Sequence, residues 1–171
     1  MTFDIFPFVG RNDPGCYHDS HNFLRPHLNR YDHALVVFDY AGCGQAGTSE
    51  SIAQIVQERL LQTGWRSAEV VVIEPELEMW IWSDSSEVSQ CLGWINQSTD
   101  LKSFLFSQDL WKENDPKPCD PKKALETVLF RMNKPRSSTI YYELARRVSF
   151  NRCTDSAFNR LREILKTWFG S

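Results

Sequence analysis

Ala34-Leu35-Val36-Val37-Phe38, closed by Asp39, is the stretch on which the fold turns. The run is apolar without a break, where a strand with one wet face would alternate. It predicts a strand buried on both faces, as in a parallel sheet. A loop follows, Tyr40-Ala41-Gly42-Cys43-Gly44-Gln45-Ala46-Gly47. Thr48 or Ser49 can cap the next helix, whose Ile52, Ile55, Val56 and Leu60 share a face. It runs to about Thr63, and Gly64 is its stop signal. Val70-Val71-Val72-Ile73 is then a second buried strand. Strand, helix and strand in this span make a βαβ unit with a right-handed crossover.

Downstream the pattern turns helical. Leu77, Trp80 and Ile81 predict a short helix and Ser86 to Leu92 another, while residues 95–119 carry no clear period. Asp120-Pro121 is a cap with a first-turn proline. Ala124, Leu125, Val128 and Leu129 follow on one face. A helix near 138–148 carries Ile140, Tyr141, Leu144 and Val148, and a last one near 155–168 carries Phe158, Leu161, Ile164, Leu165 and Trp168. Upstream, Phe3 to Val9 reads as an edge strand, because Pro7 cannot donate to a ladder. Arg11-Asn12-Asp13-Pro14-Gly15 reads as a turn, and Asp19 as the start of a short helix with Phe23, Leu24 and Leu28. The 171 residues are expected to form one domain: an α/β core over 1–94 and a helical, basic part over 95–171.

Composition excludes several classes. Eleven Phe, six Trp and five Tyr are too many for a disordered chain. No apolar run nears the ~20 residues of a membrane span. No basic, then apolar, secretory leader is visible. Five Cys, an odd count without a CxxC, fit free thiols in a reducing cytoplasm. The net charge of −3 conceals a split. Residues 1–120 hold 8 Lys and Arg against 18 Asp and Glu, and residues 121–171 hold 11 against 4. The basic part can contact nucleic acid, or the two halves can be solvated and paired with each other.

Four constellations could carry chemistry. Asp39 ends a buried strand, where open α/β sheets bind ligands; it is a ligand-binding carboxylate or a cap on the glycine loop. Glu74-Pro75-Glu76-Leu77-Glu78 ends the neighbouring strand. At least two of Asp39, Glu74, Glu76 and Glu78 could share magnesium or manganese, which take oxygen ligands. The bland alternative is a helix start decorated with acids. Gly42-Cys43-Gly44-Gln45-Ala46-Gly47 is a literal GxGxxG, but Asp39 would repel a pyrophosphate and the loop is too long for the fingerprint, so a flexible loop beside the acids is expected. His18-Asp19-Ser20-His21 reads as a capped helix start with solvated imidazoles rather than a zinc site. Cys43 has no identifiable base beside it.

The strand His33 to Asp39 with Gly42-Cys43-Gly44 resembles the acidic-strand motif of Toprim-like proteins. Glu74-Pro75-Glu76-Leu77-Glu78-Met79-Trp80 is similar to their glutamate-aromatic motif. Lys134 to Ser138, Tyr142 to Ala145 and Phe158 to Leu165 resemble the helical end of small Toprim-like proteins found in bacterial phage-defence loci, including the small component of methylation-associated defence systems. The resemblance implies a Rossmann-like parallel sheet core. It also implies a magnesium- or manganese-dependent phosphodiester enzyme, most readily a nuclease, in which Asp39 is a metal-holding, catalytic acid; the acidic cluster read from the residues adds Glu78 as the second catalytic candidate and Glu74, Glu76 and Glu78 as further metal ligands. Asp39 matches the first acid of the family's Asp-x-Asp. Ala41 stands where the second belongs, and the first-strand Glu is missing. The chain reads as starting at the family's second strand, its first strand and helix lying outside it or dispensed with. Arg136, Arg146, Arg147 and Arg152 would hold a nucleic-acid backbone. The alternative is a degenerate Toprim-like module that binds nucleic acid or another defence protein without turnover.

Overall fold

The computed structural model describes residues 3–83, 85–149 and 153–170. Its first helix is Asn12–Leu24 (α1), followed by a 3-10 turn at Arg25–His27 that accommodates Pro26. Arg11 to Gly15 is therefore the entry to a helix, not a free turn, and His18 and His21 sit within α1 rather than at its start. Pro14 is tolerated because the first-turn N–H groups have no intrahelical partner. Phe3 to Phe8 forms no strand. Every second side chain docks instead: Asp4 bonds Tyr31, Phe6 stacks on His27 at 4.2 Å, and Phe8 stacks on Phe23 at 4.4 Å. The alternation is strand-like, but docking on α1, the 3-10 turn and Tyr31 takes the place of a ladder.

The two apolar runs are strands, Ala34–Asp39 (β1) and Ala68–Ile73 (β2), paired in parallel with Ala34 opposite Ala68 and Asp39 opposite Ile73. Between them lie a helical turn, Tyr40–Cys43 (α2), and the crossover helix Ser49–Gln62 (α3). Thr48 caps α3 as expected: its Oγ1 accepts Ser51 N–H, and Ser51 Oγ accepts Thr48 N–H. Ile52, Val56 and Leu60 of α3 are buried with Tyr17 of α1 and with Ala34, Val36, Phe38, Val70 and Val72 of the sheet. Val56 and Leu60 are fully buried; truncating Leu60 to Ala would cost about 2–5 kcal/mol. Burial on both faces holds for β2 beyond Glu69 but not for β1, where Val37 is 39% exposed. Helix Ser156–Phe169 (α9), capped by Asp155 on Phe158 N–H, packs on β2 rather than β1. Arg160 meets Glu69 there at 2.7 Å, and Trp168 stacks on His33 at 4.6 Å.

Residues 3–77 and 155–170 belong to one compact unit and residues 78–83, 85–149 and 153–154 to a second. The second unit is helical: Glu78–Ile81 (α4), Ser86–Leu92 (α5), Leu101–Ser107 (α6), Pro121–Arg131 (α7) and Ser138–Arg147 (α8). The stretch without a clear period contains α6, capped by Asp100 on Ser103 N–H. Asp120 caps α7 with Pro121 in its first turn, as the sequence predicts. The core of this unit is Trp82, Leu92, Leu105, Trp111, Leu125 and Val128. Trp82 spends its one polar atom on Pro121 C=O at 3.0 Å, so its whole indole can be buried. The described chain is thus mixed α/β with a two-stranded parallel sheet and a helical C-terminal part. No helix among the described residues is long and apolar enough to cross a membrane.

Candidate functional site

The carboxyl end of the sheet is built by register. Asp39 pairs with Ile73, so Asp39 and Glu74 stand at the ends of adjacent strands. Asp39 is occupied structurally. Its Oδ1 accepts Leu77 N–H at 2.9 Å, and its own N–H donates to Asp13 Oδ1 at 3.0 Å. Glu74 accepts Ser49 Oγ–H at 2.9 Å and is exposed, while Glu76 is half-buried in the turn before Leu77. Ala41 N–H donates to Pro75 C=O at 2.9 Å, which ties the two strand ends together.

Asp13 is the residue that sequence reading missed, because Asp-Pro-Gly reads as a turn. Its position explains the glycine loop. A Cβ on Gly42 would overlap the Asp13 carboxylate, so Gly42 makes room for an acid, not for a pyrophosphate. Gly44 ends α2 at φ +70, and Gly47 at φ +125 brings the chain to Thr48. With Ser51 N–H held by Thr48, the start of α3 is satisfied from within. His18 Nε2 lies 3.3 Å from Gln45 Nε2. Cys43 is buried, and burial together with the Asp13 charge pushes the Cys16 thiol up to about 11. Cys16 is therefore a thiol, not a thiolate, at neutral pH.

Glu78 opens the second unit and is only 2% exposed. Tyr141 Oη–H donates to its Oε1 at 2.6 Å, and the Arg136 guanidinium donates to the same oxygen. Arg136 Nε donates to Tyr141 Oη at 2.8 Å, closing a triangle, and its other arm reaches Glu126 at 3.5 Å. Burial, then the Glu78 carboxylate, pushes the Tyr141 phenol up to about 12. A carboxylate this deep needs such partners, since an unpaired buried charge is very costly.

The other candidate arginines are also engaged. Arg147 meets Glu87 at 2.7 Å and Gln90 at 2.8 Å. Arg146 lies over the Tyr142 ring at 5.4 Å. Arg152 lies outside the described residues. The opposite charges of the two halves of the sequence thus meet inside each unit, at Arg136–Glu78, Arg147–Glu87 and Arg160–Glu69.

Among the described residues no group of three or more His, Cys, Asp and Glu is placed to hold a metal ion. The donors do not fit the two-metal arrangement that the resemblance implies: Asp39 and Glu74 take N–H and O–H donors, and Glu78 is enclosed by a guanidinium and a phenol. No protein-family model, curated protein or solved structure matches this chain.

Proposed function

We propose that this chain is a catalytically degenerate Toprim-like module, serving a bacterial defence system by binding a partner protein without turning over phosphodiesters. The observation that carries this reading is the enclosure of Glu78 by Arg136 and Tyr141. A carboxylate that neutralises its own guanidinium is a poor magnesium ligand, because magnesium dehydrates reluctantly and needs unencumbered oxygens. Arg136, Arg147 and Arg160 spend charge on internal acids, which favours a protein partner over a phosphate backbone.

A second reading has one observation in its favour. Asp39 and Glu74 end adjacent strands, where a magnesium- or manganese-dependent phosphodiesterase would keep its acids. A magnesium or manganese titration followed by calorimetry and melting temperature separates the two. The binding-module reading expects no saturable heat and no rise in Tm. Saturable binding lost in Asp39→Ala supports the enzyme reading.

A further inference from the structure

Residues 3–8 lie on the first unit as a strap held by side chains. Asp4 meets Tyr31 and Arg30, Phe6 stacks on His27, and Phe8 stacks on Phe23. Phe3, Ile5 and Val9 are 71%, 78% and 85% exposed. Among the described residues no backbone hydrogen bond joins residues 3–6 to the rest of the chain. None of residues 3–9 belongs to the buried core of α1, α3 and the sheet. Gly10 forms the joint with α1 at φ +81, and nothing lies within 4 Å of where a Cβ would stand. The surface under the strap is built independently of it. Leu28 and Tyr31 pack on the core, and the His27 ring meets Tyr31 edge-on at 6.0 Å. A strap with no ladder on a preformed seat can be lifted without unfolding what lies beneath.

We propose that this seat receives a partner protein's segment of the pattern Asp-x-Phe-x-Phe, and that residues 3–8 fill it as a tethered competitor. The proposal rests on the partner-binding reading above and names its surface. The strap itself shows the chemistry of the occupant. The Tyr31 hydroxyl and the Arg30 guanidinium call for a carboxylate. The rings of His27 and Phe23 take flat partners, stacked at 4.2 Å and 29° and at 4.4 Å and 14°. The three groups stand at every second position, the spacing at which an extended chain turns its side chains one way. A second copy is a poorer occupant. Each copy already holds its own strap at an effective concentration of about a millimolar, and exchange between copies would gain no new contact. The same tether sets a threshold that shuts out weak ligands.

Fluorescence anisotropy on the full chain tests this with a labelled probe, the peptide Ala-Asp-Ala-Phe-Ala-Phe-Ala. Phe6→Ala with Phe8→Ala frees the seat without touching the core, so this double variant should bind the probe at least about tenfold more tightly than the unmodified chain. Asp4→Ala removes one anchor only. It should give a smaller gain, and it answers the question should the double variant misfold. Adding Tyr31→Phe or His27→Ala to the double variant should reverse the gain. A probe with its Asp replaced by Ala, or with Asp, Phe and Phe made adjacent, should bind at least about fivefold more weakly. Equal binding by the double variant and the unmodified chain, a gain that survives both seat substitutions, or indifference to spacing would overturn the proposal. A dimer seen on sedimentation and abolished by Phe6→Ala with Phe8→Ala would give the seat to a second copy and overturn it too. Failure here leaves the partner-binding reading standing, since metal titration and cleavage test that reading with no peptide present.

Discussion

Tyr141 donates its phenolic hydrogen to the Glu78 carboxylate at 2.6 Å, and Arg136 donates to the same oxygen. The contact joins the first residue of α4 to α8, sixty-three positions apart in sequence. It turns one of the two acids expected to be catalytic into a fixture of the helical unit.

Removing the guanidinium should expose that role. Arg136→Ala leaves Glu78 buried with the phenol alone. Loss of one partner of a buried pair costs about 3–5 kcal/mol. The Arg136 side chain is 43% exposed, so solvent screening reduces the expected loss to about 2 kcal/mol. Adding Glu78→Gln to that variant should recover part of the stability, because it removes the stranded charge. Urea denaturation of the single and double variants measures both.

Tyr141 also sets a pH dependence. Its phenol is raised from 10.0 to about 12, so the folded state holds the proton more tightly than the unfolded chain. The contribution is fully present below about pH 10 and is lost as pH rises through about 12. Stability should fall across that window and fall less in Tyr141→Phe. Phenolate absorbance should show a late-titrating tyrosine that the variant lacks.

Gly42→Ala drives a methyl group into the Asp13 carboxylate and should cost about 1–3 kcal/mol. Shortening the acid should relieve the overlap. Asp13→Ala combined with Gly42→Ala is therefore expected to lose less than the two single changes together. Thermal melts of the four proteins give the cycle, and strict additivity would show that Gly42 is not there for Asp13.

Local rules explain what the sequence could tell. Both apolar runs, the Thr48, Asp100 and Asp120 caps and the Pro121 helix start depend on neighbours within a few residues, and of these only the Asp100 cap lay in a stretch without a readable period. The exposure of Val37 is not legible in the sequence, because an apolar run looks the same whether or not a third strand lies beside it. Phe3 to Phe8 is not legible as a docked coil, because its alternation can be met by stacking on α1 and the turn after it as well as by a ladder. Asp39 and Glu74 were legible as neighbours because register follows from a βαβ unit. The partners of Asp39 and Glu78 were not, since Asp13, Arg136 and Tyr141 reach them from 26, 58 and 63 residues away. Arg136 looked like a phosphate contact because its acid is distant in sequence.

Nucleic-acid binding should accordingly be weak. With Arg136 and Arg147 engaged by acids, affinity for duplex or single strands should be no better than non-specific, about 10⁻⁴–10⁻⁶ M at physiological salt. Fluorescence anisotropy over a salt series measures this. Nanomolar binding with a steep salt slope would show that the basic helices do reach the backbone.

The measurement closest to the central claim is cleavage. Purified protein is incubated with supercoiled, linear and single-stranded substrates in magnesium and in manganese. The account predicts no product above the level of an Asp39→Ala control, and none after Ala41→Asp alone, because Glu78 remains held by Arg136 and Tyr141. Metal-dependent cleavage that disappears in a folded Asp39→Ala variant would contradict it.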